Sequence, residues 1–365
     1  MPESHTASLG LCLTGGGITG AMYEVGALAA IERAVDGFSA SELDVIVGAG
    51  AGAVVAAALA GGLTATRMYR ALLDPADDLF PLERHHLIRV SVIEARRMLR
   101  ATIGALRRFL GSATTRPLDA EPWQALDRLY DSLPAGVLTL RAFEAFLEDV
   151  FKRRGVPQRF AQMPRALFIV ATDLDLGERV VFGPGRVEDA TVLHAAIASC
   201  ATPVLYAPVR VGRRDCIAGE VGELGHADVA VAAGAGTILV VNPVVPIRTD
   251  VRPGGARGVP GGSSARRVRD KGLLWVHSQA WRAHVGRLGP RLKAYEATLD
   301  DVAIACVEPE PGDATMFMHS PMSYAARRRI LEHAYTTTTR LLREPASSLA
   351  AALRGAGLTP SDREG

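Results

Sequence analysis

Apolar and polar positions along this chain fall into short runs that repeatedly end in glycine. Leu9 to Thr14 (LGLCLT) is almost wholly apolar and stops at Gly15, which predicts a buried strand entering a tight turn. From Gly20 to Val35 the period lengthens. Ala21, Val25, Leu28 and Ile31 share one face and predict a helix. Leu43 to Val47 (LDVIV) repeats the strand, and Gly48 to Gly52 repeats the turn. Ala53 to Ala60 is Ala and Val on every side, so the predicted helix is buried all round. Two successive strand–turn–helix units predict a layered α/β fold.

The pattern then changes. Thr64 to Gly155 is rich in Leu and Arg, with helical periodicity and no clear strand, and predicts a helical cap inserted over residues 64–160. Strands are predicted again at Ala166–Ala171, Arg179–Phe182, Gly236–Val241 and Ala303–Val307. A loop rich in Gly and Pro is expected over 252–264 (RPGGARGVPGGSS). Helices are predicted at Leu273–Leu288, carrying Trp275, His277, Trp281 and His284, and at Ala325–Leu342. The expected organisation is an α/β core formed by residues 1–63 and 161–345, the cap between them, and a disordered tail over 346–365. Together these predict a three-layer α/β/α sandwich around a mostly parallel sheet.

Composition narrows the reading. At roughly 150 residues per domain, 365 residues allow two or three domains, or one large α/β domain with an insertion. Hydrophobic residues at 48% and charged residues at 22% exclude a disordered chain. Lys+Arg 41 against Asp+Glu 39 leaves +2, so total charge selects no partner, and nucleic acid is not expected. The cysteines at 12, 200, 216 and 306 form no CxxC and no metal spacing, which argues for a reducing compartment, and neither a metal nor a cofactor is expected. The first residues, MPESHTASLG, lack a basic segment followed by an apolar one. No apolar stretch reaches a clean span of about 20 residues. The expected setting is cytoplasmic, with peripheral contact at the inner membrane face kept as an option.

Two glycine turns carry the candidate chemistry. Gly15, Gly17 and Gly20 match G-x-G-x-x-G, and Gly48, Gly50 and Ala53 match its Ala variant. A dinucleotide site also needs an acidic residue at the end of the next strand, about 20 residues on, and neither turn has one. The same turns suit a different use. Backbone amides at a helix N-terminus can face a developing oxyanion, and a strand–turn–helix elbow can present a nucleophile.

That layout resembles the patatin-like phospholipase family. Gly15-Gly16-Gly17-Ile18-Thr19-Gly20 is similar to the family's GGGxxG oxyanion loop, and Gly48-Ala49-Gly50-Ala51-Gly52 stands where the family has GxSxG. Ala171–Gly177 and Ser199–Pro203 resemble family segments in the expected order. Cys216-Ile217-Ala218-Gly219-Glu220 falls where the family reads Asp-Gly-Gly or Asp-Gly-Ala, and Ile238–Pro243 follows. The resemblance runs from about residue 9 to 243, and more loosely through Pro321–Tyr335. It implies the patatin-like sandwich, lipid acyl hydrolysis by a Ser–Asp dyad and an oxyanion loop at Gly15, Gly16, Gly17 and Gly20.

The departures from the family bear on that activity. Gly50 stands at the family's nucleophile position and Ala218 at its Asp position. A hydroxyl and a carboxylate are both missing, so the expectation is a homologue without turnover that binds a lipid or acyl chain, an anionic membrane surface or a protein partner. Two independent losses, with Thr19 where the family often has Lys or Arg, fit divergence better than a single deliberate change. The alternative is an active hydrolase using other groups. Glu220 could compensate, although a solvated loop acid is the simpler reading. Asp215, His226, Cys200, Cys216, Asp173 and Asp175 have equally plain structural readings. Finally, Arg84 to Arg108 holds seven arginines against Glu94 alone. Arg89, Arg96, Arg97, Arg100, Arg107 and Arg108 beside an apolar stripe form a candidate membrane-binding helix. A cap helix with a solvated Arg face explains the same pattern.

Overall fold

The computed structural model describes residues 8–359 apart from 75, 88–95, 97–99, 101–102, 105–134, 220–221, 223, 247–271, 311, 318, 320–321 and 345. Its strands are β1 (Leu9–Leu13), β2 (Val45–Ala49), β3 (Gly136–Leu138), β4 (Ala166–Asp173), β5 (Glu178–Phe182), β6 (Val204–Tyr206), β7 (Val209–Val211), β8 (Arg214–Ala218), β9 (Thr237–Val241) and β10 (Ala303–Val307). Eight of them build one sheet in the order β10-β9-β1-β2-β4-β8-β7, with β5 also paired to β4. The five strands from β10 to β4 run parallel, whereas β5, β8 and β7 are antiparallel additions at one end.

Helices cover both faces: α1 (Gly17–Ala34), α2 (Gly52–Ala60), α3 (Ala65–Leu73), α4 (Arg84–Leu87), α5 (Arg141–Arg154), α6 (Val192–Ser199), α7 (Ala227–Ala232), α8 (Leu273–Val285), α9 (Leu288–Glu296), α10 (Ala314–Phe317), α11 (Arg327–Arg343) and α12 (Ser348–Gly355). Strand alternation divides the apolar residues between two cores. Leu11, Leu13, Ile46, Leu167, Ile169, Leu239 and Val241 face the larger one, built with α1, α2, α5, α6 and α11. Cys12, Val45, Val47, Phe168, Val170, Ile238 and Val240 face the smaller one, which includes residues of α7, α8 and α9. Strands buried on both faces read as continuous apolar runs, which is why β1, β2 and β9 stand out in the sequence. The three-layer α/β/α architecture is therefore as expected.

Three elements depart from the expectation. The cap region contains a strand, β3, which pairs in parallel with β6 as a two-stranded ribbon apart from the main sheet. The stretch 204–218 holds three short strands that the sequence left unassigned. Each spans only three to five residues, too few for a period to register. The tail expected to be disordered carries α12. Ser347 caps it by accepting the Ala350 amide at 3.3 Å, and Leu349 and Leu353, four apart, are buried. The expected loop at 252–264 and most of the basic cap stretch lie outside the described residues.

Candidate functional site

Residues 15–17, which follow β1, take positive φ at three consecutive positions: Gly15 at 81°, Gly16 at 100° and Gly17 at 71°. A run of this kind suits glycine because a Cβ is disfavoured there. The loop is fixed from both sides. Thr14 Oγ1 donates to Asn242 Oδ1 at 2.9 Å, and Asn242 Nδ2 donates to Glu308 Oε1 at 2.8 Å. The Gly15 amide donates to Glu24 Oε1 at 2.7 Å, and the Gly20 amide to the Gly16 carbonyl at 3.3 Å. Gly20 sits inside α1, where an added Cβ would lie 2.0 Å from the Gly15 carbonyl oxygen. The four expected loop glycines thus divide into two roles. Gly15 and Gly20 spend their amides inside the loop, whereas Gly16 and Gly17 border a cavity at the positive end of α1.

Glu24 is fully buried beneath this loop, and burial holds its carboxyl well above the usual carboxylate range. Its second oxygen makes no hydrogen bond.

The β2–α2 elbow faces the loop. Gly50 has φ 56°, and its amide donates to Ser199 Oγ at 2.8 Å. Ser199 in turn donates to the Val170 carbonyl at 2.5 Å, and the Cys200 thiol donates to the Gly50 carbonyl at 3.3 Å. A Cβ built on Gly50 would meet Gly15 Cα at 3.6 Å, Gly16 N at 3.8 Å and the Thr14 carbonyl oxygen at 3.9 Å. These are ordinary contacts, and they aim a side chain at position 50 toward the glycine loop. Ala218 ends β8 opposite Ala171, and its amide donates to the Ala201 carbonyl at 2.9 Å.

Gly16, Gly17, Gly50, Cys200 and Ala218 all line one cavity of about 190 Å³. Apolar side chains, among them Met68, Leu72, Phe80, Phe146 and Leu147, make up much of its lining. Helix α8 contributes His277, Ser278, Trp281 and Arg282. Among the described residues that line it, none is acidic.

Residues 11–230 match the patatin-like phospholipase family, a stretch that begins in β1 and ends in α7 and so contains loop, elbow and Ala218 alike. The chain belongs to that family. No curated protein matches it in sequence. Among solved structures, VipD from Legionella pneumophila is similar at 14% identity over 92% of this chain and 66% of its own, with a TM-score of 0.35. The type III effector protein ExoU is similar at 15% identity over 96% of this chain and 53% of its own, with a TM-score of 0.37. The chain therefore spans between about half and two thirds of the length of these two structures.

For this patatin-like chain, the other candidate groups take ordinary structural places. Cys200 touches the elbow, but burial pushes its thiol up to about 12, with the nearby Glu24 adding to the effect. Cys216 is buried in the larger core, and its thiol is pushed up to about 11, chiefly by burial. Asp215 pairs with Arg210 at 2.9 Å. Asp173 accepts the amides of Asp175 and Leu176 and so closes the β4–β5 turn. His226 is buried at the N-cap of α7 with φ 64°. Glu220, Arg89, Arg97, Arg107 and Arg108 lie outside the described residues, whereas Arg96 and Arg100 are exposed. Among the described residues no group of three His, Cys, Asp or Glu side chains could hold a metal ion, and no helix is long and apolar enough to cross a membrane.

The sequence did not point to Arg282 or Glu24, and it placed Ser199 only at the start of a family-like segment. Arg282 had a signal available: it follows His277, Ser278 and Trp281 at helical spacing, on one face of α8.

Proposed function

We propose that this protein is a patatin-like pseudoenzyme that holds a lipid acyl chain without hydrolysing it. One observation carries the reading: the two cavity positions that the family resemblance assigns to the dyad bear a hydrogen, at Gly50, and a methyl group, at Ala218. Acyl transfer needs a nucleophile and a base, and neither residue offers one. Loss of the nucleophile leaves roughly 10³-fold catalysis over water from the oxyanion loop and binding alone. The acyl-sized apolar cavity and the Gly16 and Gly17 amides are retained, and these are the parts that bind rather than react. An active hydrolase running on Cys200 is disfavoured, because a thiol held near 12 is scarcely ionised at neutral pH.

The deciding experiment compares the natural protein with the Gly50→Ser/Ala218→Asp double variant on short- and long-chain acyl esters. The expected result is no turnover by the natural protein and measurable turnover by the variant. Turnover by the natural protein that disappears when Cys200 is blocked overturns the proposal. We also propose peripheral contact with an anionic membrane through the basic cap stretch, supported by the exposure of Arg96, Arg100 and Ile103.

A further inference from the structure

Along residues 79–87 a single length of chain separates the cavity from solvent. Phe80, Leu82 and Leu87 line the cavity, and Leu79 is buried in the larger core. Pro81, Glu83, Arg84 and His85, interspersed with them, are exposed. The inner side of this strap is therefore apolar and its outer side is wet.

Both ends of the strap are fixed. Upstream, Arg67 donates to Asp77 through Nη1 at 2.6 Å and Nη2 at 3.0 Å, and Asp77 Oδ1 accepts the Leu79 amide at 2.8 Å. Downstream, the buried Tyr206 hydroxyl donates to the Leu87 carbonyl at 3.0 Å, and His86 stacks on Phe146 with ring centroids 4.4 Å apart. The middle is held differently. The Leu82 amide donates to the Phe80 carbonyl, the Glu83 amide to His86 Nδ1 and the His86 amide to the Glu83 carbonyl, so these bonds stay within the strap. Among the described residues, the one hydrogen bond from positions 80–86 to another part of the protein comes from the Tyr324 hydroxyl, which donates to the Leu82 carbonyl. Arg327 sets the Tyr324 ring: its guanidinium carbon lies 4.0 Å from the ring centroid, and its Nη1 donates to the Tyr324 carbonyl at 3.3 Å. Tyr324 is not among the residues that line the cavity.

A segment with so few ties to its surroundings opens before the packed helices around it do. Resting on the acyl-binding reading above, we propose that residues 79–87 are the gate through which an acyl chain enters the cavity, with the Tyr324 hydroxyl as its latch. Movement of the strap between its fixed ends at Asp77 and Leu87 breaks the Tyr324–Leu82 bond and withdraws Phe80 and Leu82 from the cavity. Because Tyr324 does not line the cavity, the latch governs how fast an occupant exchanges and leaves how tightly it binds unchanged.

Stopped-flow fluorescence of the full chain with dansylundecanoic acid tests this assignment. In the natural protein the observed association rate should level off as the probe concentration rises, because opening becomes limiting. Tyr324→Phe removes the latch hydroxyl and keeps the ring. Loss of that hydrogen bond should raise both association and release into excess lauric acid by roughly 2–10-fold, with Kd unchanged to within about two-fold. Tyr69, whose ring packs against Tyr335 with centroids 4.9 Å apart, supplies the control, and Tyr69→Phe should change neither rate. Natural rates in Tyr324→Phe overturn the gate and leave the acyl-binding reading standing. A weaker Kd at an unchanged association rate does the same, since Tyr324 would then support the cavity itself. No binding of the probe by the natural protein overturns both readings. The levelling-off needs no variant: association that rises linearly up to the probe's micelle concentration overturns the gate even if Tyr324→Phe does not fold.

Discussion

The hydroxyl of Ser199 accepts the amide of Gly50, 149 positions away in sequence, at 2.8 Å and donates to the carbonyl of Val170 at 2.5 Å, joining the elbow to β4. Ser199 is fully buried, so its removal takes away two buried hydrogen bonds, one from the Gly50 amide and one to the Val170 carbonyl. Ser199→Ala should lower unfolding free energy by about 1–3 kcal/mol, measured by urea denaturation. A variant indistinguishable from the natural protein would show that the elbow does not depend on this link.

Two glycines should respond to the same substitution very differently. Gly50→Ala places a Cβ in ordinary contact at 3.6 Å, so the expected cost is the left-handed backbone alone, about 1–2 kcal/mol. Gly20→Ala drives a Cβ to within 2.0 Å of the Gly15 carbonyl oxygen, and the loop must move. Thermal unfolding should rank Gly20→Ala as clearly the more damaging. The reverse order would contradict the packing described for α1.

Glu24 predicts a pH dependence of definite sign. Its folded pKa is raised above the ordinary 4.5 by burial. Above that pH the unfolded chain ionises while the folded one keeps its proton, so stability falls as pH rises, by at most about 1.4 kcal/mol per unit. Glu24→Gln retains an acceptor for the Gly15 amide and cannot ionise. The stability of Glu24→Gln relative to the natural protein should therefore improve as pH rises above about 4.5, for as long as the folded Glu24 keeps its proton. A gap that stays constant over that range would contradict a neutral Glu24.

Cys200 should be slow to alkylate. With its thiol near 12 instead of 9.0, its thiolate at pH 8 is about 1,000-fold scarcer than that of an ordinary cysteine. Mass spectrometry after iodoacetamide treatment should find Cys200 labelled at least 100-fold more slowly in the native protein than in urea.

Membrane contact through the cap should be electrostatic and therefore sensitive to salt. Arg96→Glu/Arg100→Glu should weaken co-sedimentation with anionic vesicles at low salt several-fold, and high salt should abolish the difference. Binding that ignores both the charge reversal and the salt would leave these arginines as solvated surface.

The parts of the fold legible in the sequence are those where one local rule dominates. Strands β1, β2 and β9 are buried on both faces, and the glycine turns after β1 and β2 are needed for positive φ, so both leave strong local marks. Ribbon β3–β6 left none, because strands of three residues are stabilised by a partner far away in sequence. The candidate site was half legible for the same reason. Gly50 and Ala218 fall in motifs, whereas Glu24 under the loop and Arg282 in the cavity wall acquire their meaning only from burial against residues distant along the chain.

The cavity wall is assembled from the loop after β1, the β2 elbow, α5 and α8, which are far apart in the sequence. It exists only once all of them have come together, so an occupant that fits it has nothing to bind in the unfolded chain. At 100 times its dissociation constant, such an occupant adds about 2.7 kcal/mol to the unfolding free energy. The melting temperature of this protein would then report the supply of that occupant directly, a readout that requires no chemistry from the site at all.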